Sequence, residues 1–420
     1  MHTDGEPLWD IVEEHLDEAE FLWEQWEHGL VAPNYTLREL ADGPEERLMA
    51  HLDGLVVNGP RVAERLLIPT IADLDAEPTR VRAAALALLQ SPGEAGVHAV
   101  LAAFHEAPLQ RDELARALEC SDRPDLLPRI SALLTSPDLD LRHSAARIMA
   151  FHDASFTDAI PTLLASERTL DRALGLRLAA RLPGETRHLH ELRASLRSDD
   201  PELRDVALGS AALLGLPEAW ARARELVQSQ DPTAGHALLL LALRGEPADA
   251  PLLLAAAEAE ATRNAGLWAL GFLGTAEAVD ATLQWLEDDA HARLAGEALA
   301  AITGLDLEDA NLTRTAGDDE ALAHRPEDDL PLPDPMGVLR WWRENRERFA
   351  DGRRHLAGNP HTLAAQWAAI TAGPMRRRPA HLMALQLQLP AKQRPRLEPR
   401  APTRRQHAEL AAWTPPASAG

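Results

Sequence analysis

A small number of residues in this sequence could do acid–base or nucleophilic chemistry. His51 and Asp53 lie two residues apart, and a histidine paired with a carboxylate can act as a general base. No nucleophile is close to them in sequence, and Gly54 indicates that a helix ends here. The single cysteine, Cys120, is predicted to lie in a loop, and no HExxH, GxSxG or phosphate-loop motif occurs. We therefore predict no catalytic residue.

Tryptophans that could anchor a protein partner occur in the first predicted helix. Trp9, Trp23 and Trp26 share the apolar side of an amphipathic segment that also carries seven carboxylates between residues 13 and 27. The favoured interpretation is a capping helix, because the end of a repeat array would otherwise expose an apolar face to water. The alternative is a partner-binding helix in which these tryptophans are the anchors.

A second group of candidate partner-binding residues lies near the C-terminus. Trp341 and Trp342 fall in a predicted helix over residues 336–349. Arg400 lies in a proline-broken stretch at 390–402, and Arg405 follows that stretch. Residues 336–420 hold 15 basic and 5 acidic side chains. We favour an interpretation in which this basic end folds back onto acidic parts of the chain. Recruitment of an acidic partner is the alternative.

The charge of the remaining chain excludes several classes of protein. The 420 residues have a net charge of −24, and residues 1–335 alone sum to −34. An acidic surface repels phosphate, so we predict no nucleic-acid partner. One cysteine excludes a disulfide scaffold and a multi-cysteine metal site. The acidic N-terminus is unlike a signal peptide and no apolar run approaches ~20 residues, so we predict a cytoplasmic protein without membrane contact.

A short pattern recurs along the middle of the chain: an arginine, usually after an apolar residue, with small residues two or three positions later. The pattern arginines are Arg82, Arg142, Arg172, Arg204, Arg263 and Arg293. Their spacings of 60, 30, 32, 59 and 30 predict a period near 30 residues, with degenerate copies near 111–117 and 233–237. Turn residues and prolines precede the copies, as in Ser136-Pro137, Asp200-Pro201 and Asp231-Pro232, and predict helix starts there.

Two helices in about 30 residues cannot bury a core alone and must stack on their neighbours. We therefore predict an all-α fold without a sheet, a right-handed α-solenoid with non-repeat helical ends. Its short repeats, of about 30 residues, resemble the HEAT-repeat class. The predicted segments are a helical N-terminal cap (1–70), the repeat array (71–304), an acidic loop or linker (305–335) and a basic helical C-terminal segment (336–420). The resemblance to HEAT repeats implies that the pattern arginines of the array make contacts between repeats.

Seven segments outside and within the array are distinctive. They read DIVEEHLDEAEFLWEQW and APNYTLREL near the N-terminus, EERLMAHLDGLVVNG at 45–59, NAGLWALGFLG at 264–274, RLAGEALAAITGLDL at 293–307, LPLPDPMGVLRWW at 330–342 and RAPTRRQ at 400–406. Together they resemble a family of uncharacterised bacterial HEAT-repeat proteins that are often encoded near type VI secretion genes. The resemblance runs through most of the chain in order. It implies no particular reaction, and by association it implies a role in secretion.

Other HEAT-repeat proteins suggest alternatives that the residues do not favour. HEAT-repeat hydroxylases hold a di-iron centre with four His-Glu dipeptides, whereas this chain has two, His105-Glu106 and His190-Glu191. Motifs of the repeat-containing bilin lyases are not visible. We therefore predict no metal and no cofactor, with a lyase or hydroxylase as the alternative enzyme. The favoured function is a non-enzymatic scaffold or adaptor for a basic protein, a secretion component or effector, and an immunity-like inhibitor of a basic toxin is the alternative.

Overall fold

The computed structural model describes residues 6–154, 156–182, 188–315, 327–350 and 352–414, and these residues are mostly helical. The α-helices of the first part of the chain are α1 (Trp9–Gly29), α2 (Leu37–Leu40), α3 (Glu46–Val57), α4 (Pro60–Val62), α5 (Ile68–Ala72), α6 (Pro78–Gln90), α7 (Ala95–Glu106), α8 (Arg111–Cys120), α9 (Leu126–Ser131), α10 (Leu139–Phe151), α11 (Ile160–Leu164) and α12 (Thr169–Arg181). The later helices are α13 (Leu189–Ser195), α14 (Pro201–Leu213), α15 (Pro217–Gln228), α16 (Gly235–Arg244), α17 (Ala250–Glu258), α18 (Arg263–Leu273), α19 (Ala276–Thr282), α20 (Ala292–Thr303), α21 (Pro335–Asn345), α22 (Leu363–Ala372), α23 (Arg378–Gln388) and α24 (Thr403–Ala412).

Tighter and wider helical turns extend several of these helices. The π-helical segments are Ala41–Glu45 and Ala63–Leu67, and the 3-10 segments are Pro108–Gln110, Ala132–Thr135, Thr157–Ala159, Pro247–Asp249, Leu283–Trp285, Arg346–Phe349, Met375–Arg377 and Ala391–Gln393. Among the described residues, every helix is too short or too polar to cross a membrane.

The chain forms two compact units. Of the described residues, unit 1 contains 6–31, 35–154, 156–166 and 396–412, and unit 2 contains 32–34, 167–182, 188–315, 327–350, 352–395 and 413–414. The predicted basic C-terminal segment therefore contributes residues to both units. In unit 1, α1 packs on α3 and α6, α6 packs on α8, and α8 packs on α10. In unit 2, α12, α14, α16, α18 and α20 form a row in which each helix packs on the next, and α15, α17 and α19 form a second row.

The helices that contain the pattern arginines bury mainly leucine and alanine. In α6 and α14, small side chains such as Ala84 and Ala207 are fully buried and let neighbouring helices approach closely. The predicted degenerate copies near 111 and 235 are both helical, as α8 and α16. Asp200 caps α14 as predicted, by accepting from the backbone N–H groups of Glu202 and Leu203.

The prediction of no sheet is wrong at one place in unit 2. Strands β1 (His355–Leu356) and β2 (Asn359–Pro360) form an antiparallel hairpin. Its two-residue turn has positive φ at Ala357 (49°) and Gly358 (78°), the left-handed geometry that matches the twist of paired strands. The hairpin packs against α20, where the backbone N–H groups of Ala357 and Gly358 donate to the carbonyls of Ala301 and Ile302 at 2.8 and 2.9 Å.

Residues 316–326, the middle of the predicted acidic loop, lie outside the described residues. The two flanks of this loop are held together by an antiparallel bridge between Thr313 and Pro333. Next to the bridge, Asp334 donates its backbone N–H to the Leu312 carbonyl at 2.7 Å. The carboxylate of Asp334 then caps α21 by accepting from the N–H groups of Met336 and Gly337.

Candidate interaction surface

The inner face of α1 forms part of the core of unit 1. Trp23 and Trp26 are both buried there, with ring centroids 5.6 Å apart in an edge-to-face arrangement. The indole N–H of Trp26 donates to the Glu45 carboxylate at 2.7 Å. These two tryptophans therefore stabilise the unit and present no surface to a partner, which corrects their assignment as candidate anchors.

Trp9 occupies a different position, at the start of α1. Its side chain is half-buried, and the guanidinium of Arg65 lies 4.0 Å from the centroid of its ring. A cation over an aromatic face is attracted by the ring quadrupole, so Trp9 already has a partner within unit 1.

The tryptophan pair of α21 is held on unit 2. Trp342 is buried and donates its indole N–H to Asp280 of α19 at 2.8 Å, which corrects its assignment as a candidate anchor. Arg346 binds the same carboxylate with two nitrogens, at 2.5 and 3.0 Å. Trp341 is half-buried and stacks on Trp342 with ring centroids 6.5 Å apart.

The two predicted C-terminal arginines lie in unit 1. Arg400 has an exposed side chain, and its backbone carbonyl accepts from Arg116 at 2.9 Å. Arg405 donates to the carbonyl of Phe151 at 2.7 Å and pairs with Glu409 at 2.9 Å. Because Phe151 is the last residue of α10, Arg405 satisfies a carbonyl that helix geometry leaves unpaired.

The rest of the basic end in unit 1 pairs with acidic residues of the predicted array. Arg396 binds Asp153 at 2.6 Å, and Arg404 binds Asp122. Residues 396–412 thus fold back onto the chain, as the favoured interpretation predicted. Arg396, Arg404 and Arg405 of this stretch form internal contacts, and the side chains of Arg396 and Arg404 remain 76% and 78% exposed.

The pattern arginines show the predicted contacts between neighbouring helices at two positions. Arg82 of α6 binds Glu113 of α8, and it also binds Glu27 of α1. Arg204 of α14 is buried and donates to the hydroxyl and carbonyl of Thr233, in the turn before α16, at 2.8 and 3.0 Å. These side chains join neighbouring helices within each unit.

The outer face of α1 carries a narrow exposed stripe in which four of six residues are acidic. The stripe consists of Asp10, Glu14, Asp17, Phe21, Glu24 and His28. Spacings of four, seven, eleven, fourteen and eighteen residues place all six within about 40° of one line along a helix. In the described part of the chain, Asp10, Glu14 and Glu24 form no ion pair, whereas Asp17 binds Arg80 at 2.6 Å. Phe21 is 52% exposed in the middle of the stripe.

Phe21 is an exposed aromatic residue of α1 that was not among the predicted contact residues. Its position relative to Asp10 and Glu14 places it on the polar side of α1, three residues before the last exposed glutamate, Glu24. An apolar ring among carboxylates on an exposed face is a signal that helical spacing alone could have identified.

The residues singled out for catalysis do not come together. The Nδ1 atoms of His51 and His15 are 3.1 Å apart. Burial lowers the pKa of His51, and the neighbouring His15 lowers it further. Gly54 is inside α3 and does not end it; a side chain there would collide with the His15 ring, so glycine permits the close approach of α1 and α3. Within the described ranges, no three His, Cys, Asp or Glu side chains are arranged to hold a metal ion.

Cys120 lies at the end of α8 and not in a loop. The thiol is buried, and burial raises its pKa to about 12. A thiol with such a pKa is protonated near neutral pH, and the thiolate is the nucleophilic form. The position suits a small apolar side chain in the core of unit 1.

Comparisons with known proteins give no family. No protein-family model matches the chain, and no curated protein matches it. Structural similarity exists to YibA of Escherichia coli (TM-score 0.32, 13% identity, 71% of this chain and 97% of the other) and to human deoxyhypusine hydroxylase (0.25, 17%, 67% and 94%). An engineered protein also matches (0.30, 16%, 89% and 99%). At these TM-scores, none of the three informs the fold or function of this chain.

Proposed function

We propose that this protein is a non-enzymatic scaffold that binds a basic protein through the outer stripe of α1. The observation that carries the proposal is the contrast between the two faces of this helix. Glu27, on the inner side, is bound by Arg82 and Arg116, whereas Asp10, Glu14 and Glu24 form no ion pair with any described residue. Unpaired charge on one exposed face attracts a partner of opposite charge and accelerates its association.

Phe21 supplies the apolar contact that such a surface needs. Carboxylates at a rim contribute mainly to association rate and specificity, and an aromatic side chain at the centre contributes most of the affinity. The ring is exposed between Asp17 and Glu24. A partner with an apolar pocket surrounded by Lys or Arg would complement this arrangement.

We further propose that the helix rows belong to a right-handed α-solenoid of HEAT-like repeats. The support is the period of the helices: α14, α16, α18 and α20 begin at residues 201, 235, 263 and 292, and each packs on the next. A solenoid presents an extended surface made from many repeats, which suits a scaffold. The sequence resemblance to proteins encoded near type VI secretion genes suggests that the partner is a secretion component or an effector.

The proposal is tested by reversing the charge of the stripe. We expect a basic protein to crosslink to the wild-type chain in native cells and not to crosslink to the variant Asp10→Lys/Glu14→Lys/Glu24→Lys. The matched control is Glu46→Lys/Asp53→Lys/Glu64→Lys, which makes the same charge change at exposed positions elsewhere in unit 1. Equal recovery of partners by both variants would contradict the proposal. If the recovered partner is a toxin and the chain suppresses its toxicity, the scaffold acts as an immunity-like inhibitor.

A further inference from the structure

Three exposed leucines lie on successive turns of unit 1. Leu74, Leu109 and Leu139 are 61%, 80% and 44% exposed, and each lies at or just before the start of α6, α8 or α10. Single exposed leucines are common on protein surfaces, but these three lie where the chain enters α6, α8 and α10, and α8 packs on both of the other two helices. We call these three residues the leucine ridge.

Buried polar side chains fix the three turns to one another. The side chain of Gln110 donates to the Asp73 carbonyl, which ties the turn before α8 to the turn before α6. Arg111 is buried, donates to the carbonyls of Phe104 and His105 at 3.2 Å, and binds Asp138 at 3.1 Å. Asp138 in turn caps α10. These contacts therefore fix the backbone of the turns that carry the three leucines.

The spacing of the ridge follows from the packing of the three helices that its leucines precede or begin. Helices that pack side by side are about 8–10 Å apart, and α8 packs directly on both α6 and α10. Seven residues of an α-helix rise about 10.5 Å. A partner helix lying along the ridge would therefore place an apolar residue against each leucine at intervals of seven residues.

Acidic side chains flank the ridge. Asp75, Glu77 and Glu106 are exposed and form no ion pair with any residue that the structure describes. Asp112, beside Leu109, pairs with Arg147 at 3.0 Å but remains largely exposed. The ridge therefore combines an apolar line with negative edges, and it complements apolar residues flanked by arginine or lysine.

We propose that the leucine ridge docks a basic amphipathic helix of the partner protein, with apolar residues seven positions apart. This inference rests on the proposed scaffold function and identifies a second contact region in the same unit. A basic amphipathic helix satisfies the spacing and the charge together. A second copy of this chain is an outcome that the experiment distinguishes.

The experiment measures binding of a labelled synthetic helical peptide to the full chain by fluorescence anisotropy. The peptide has three leucines seven residues apart, with arginines beside them, and the control peptide has the same composition with the leucines permuted. We expect the wild type to bind the leucine peptide saturably and to bind the permuted peptide at least tenfold more weakly. In Leu74→Ser/Leu109→Ser/Leu139→Ser, the affinity for the leucine peptide should fall by roughly tenfold for each leucine removed. Val57→Ser, which removes an aliphatic side chain that is 80% exposed on α3, should leave the affinity unchanged.

Equal binding of both peptides, no saturable binding, or unchanged affinity in the triple leucine variant would each overturn the proposal. Sedimentation shows whether a second copy of this chain covers the ridge. If the wild type is a dimer and the triple leucine variant is a monomer, the ridge is a self-association surface and the proposal of a partner helix is wrong. The scaffold function is tested separately with the native partner. If the α1 lysine variant loses this partner and the leucine variant retains it, the ridge proposal fails while the scaffold function stands.

Discussion

The carboxylate of Glu45 accepts hydrogen bonds from both the backbone N–H and the hydroxyl of Thr403, at 2.8 Å each. These residues are 358 positions apart, and both are buried in unit 1. Thr403 is the first residue of α24, so the negative charge lies at the positive end of a helix dipole. The indole N–H of Trp26 donates to the same carboxylate. One side chain thus joins α1, the segment before α3 and α24.

Replacing Glu45 should destabilise unit 1 strongly. Glu45→Ala leaves the N–H groups of Trp26 and Thr403 buried without an acceptor, and each such loss costs about 1–3 kcal/mol. We expect a decrease of roughly 3 kcal/mol in the free energy of unfolding, measured by urea denaturation followed by tryptophan fluorescence. Glu46→Ala, at the adjacent exposed position, is the control and should have a free energy of unfolding within about 0.5 kcal/mol of the wild type. A similar loss in both variants would show that Glu45 has no special role.

Arg354 has a comparable role in unit 2, without a carboxylate. It donates to the carbonyls of Ala242 in α16 and of Phe272 and Leu273 in α18, at 2.8 to 3.0 Å. These carbonyls belong to the last turns of their helices, which have no partners within the helix. Burial lowers the pKa of Arg354 to about 10, so the side chain is still charged at neutral pH and complements the negative ends of two helix dipoles.

We expect Arg354→Met to destabilise unit 2 by about 2–3 kcal/mol, because methionine fills the volume but leaves the carbonyls unpaired. Arg340→Met removes an exposed arginine of α21 and is the control, with an expected change below about 0.5 kcal/mol. Chemical denaturation of each full-length variant gives the two values. Stability unchanged in Arg354→Met would mean that water satisfies these carbonyls equally well.

Local features of the fold could be predicted from the sequence. The cap at Asp200 and the arginine period gave the positions of α14 and its neighbours, because capping and helical spacing depend on residues a few positions apart. The prediction at Ser136-Pro137 was two residues early. Asp138 caps α10 instead, since its carboxylate reaches the N–H groups of Asp140 and Leu141.

Contacts between distant residues could not be predicted in this way. The assignment of Trp23 and Trp26 as anchors was wrong. Apolar residues on an amphipathic helix have the same spacing whether they face the core of the protein or a partner. The pairing of Glu45 with Thr403 leaves no local trace, since each residue alone is ordinary for a surface segment. The structural role of Arg354 could not be predicted either, because the sequence around an arginine does not indicate which distant carbonyls its side chain contacts.

The buried histidines of unit 2 predict a loss of stability in acid. Burial lowers the pKa of His236 and of His361 to about 4, and it lowers the pKa of His381 well below its ordinary value. In the unfolded chain these groups titrate near 6.5. The stability they confer as neutral rings is therefore complete above pH 6.5 and is lost as the pH falls towards 4, by about 3 kcal/mol for each of His236 and His361.

Urea denaturation at pH 7 and at pH 4 measures this loss. In His361→Gln the side chain cannot be protonated, so the difference between the two pH values should be smaller than in the wild type by about 3 kcal/mol. His407→Gln, at an exposed position of α24, should leave the difference unchanged. If both variants retain the full acid sensitivity, the paired carboxylates of the chain and not the buried histidines cause it.

The two faces of α1 should respond differently to the removal of one negative charge. Glu27→Gln weakens the ion pairs with Arg82 and with Arg116, which is buried, and we expect a loss of about 2 kcal/mol in the free energy of unfolding. Glu24→Gln, three residues earlier on the exposed stripe, removes no ion pair within the described residues and should change it by less than about 0.5 kcal/mol. Urea denaturation of the two variants gives this comparison at equal net charge. If Glu24→Gln were as destabilising as Glu27→Gln, the outer stripe would be needed for folding, and its unpaired carboxylates would no longer indicate a binding surface.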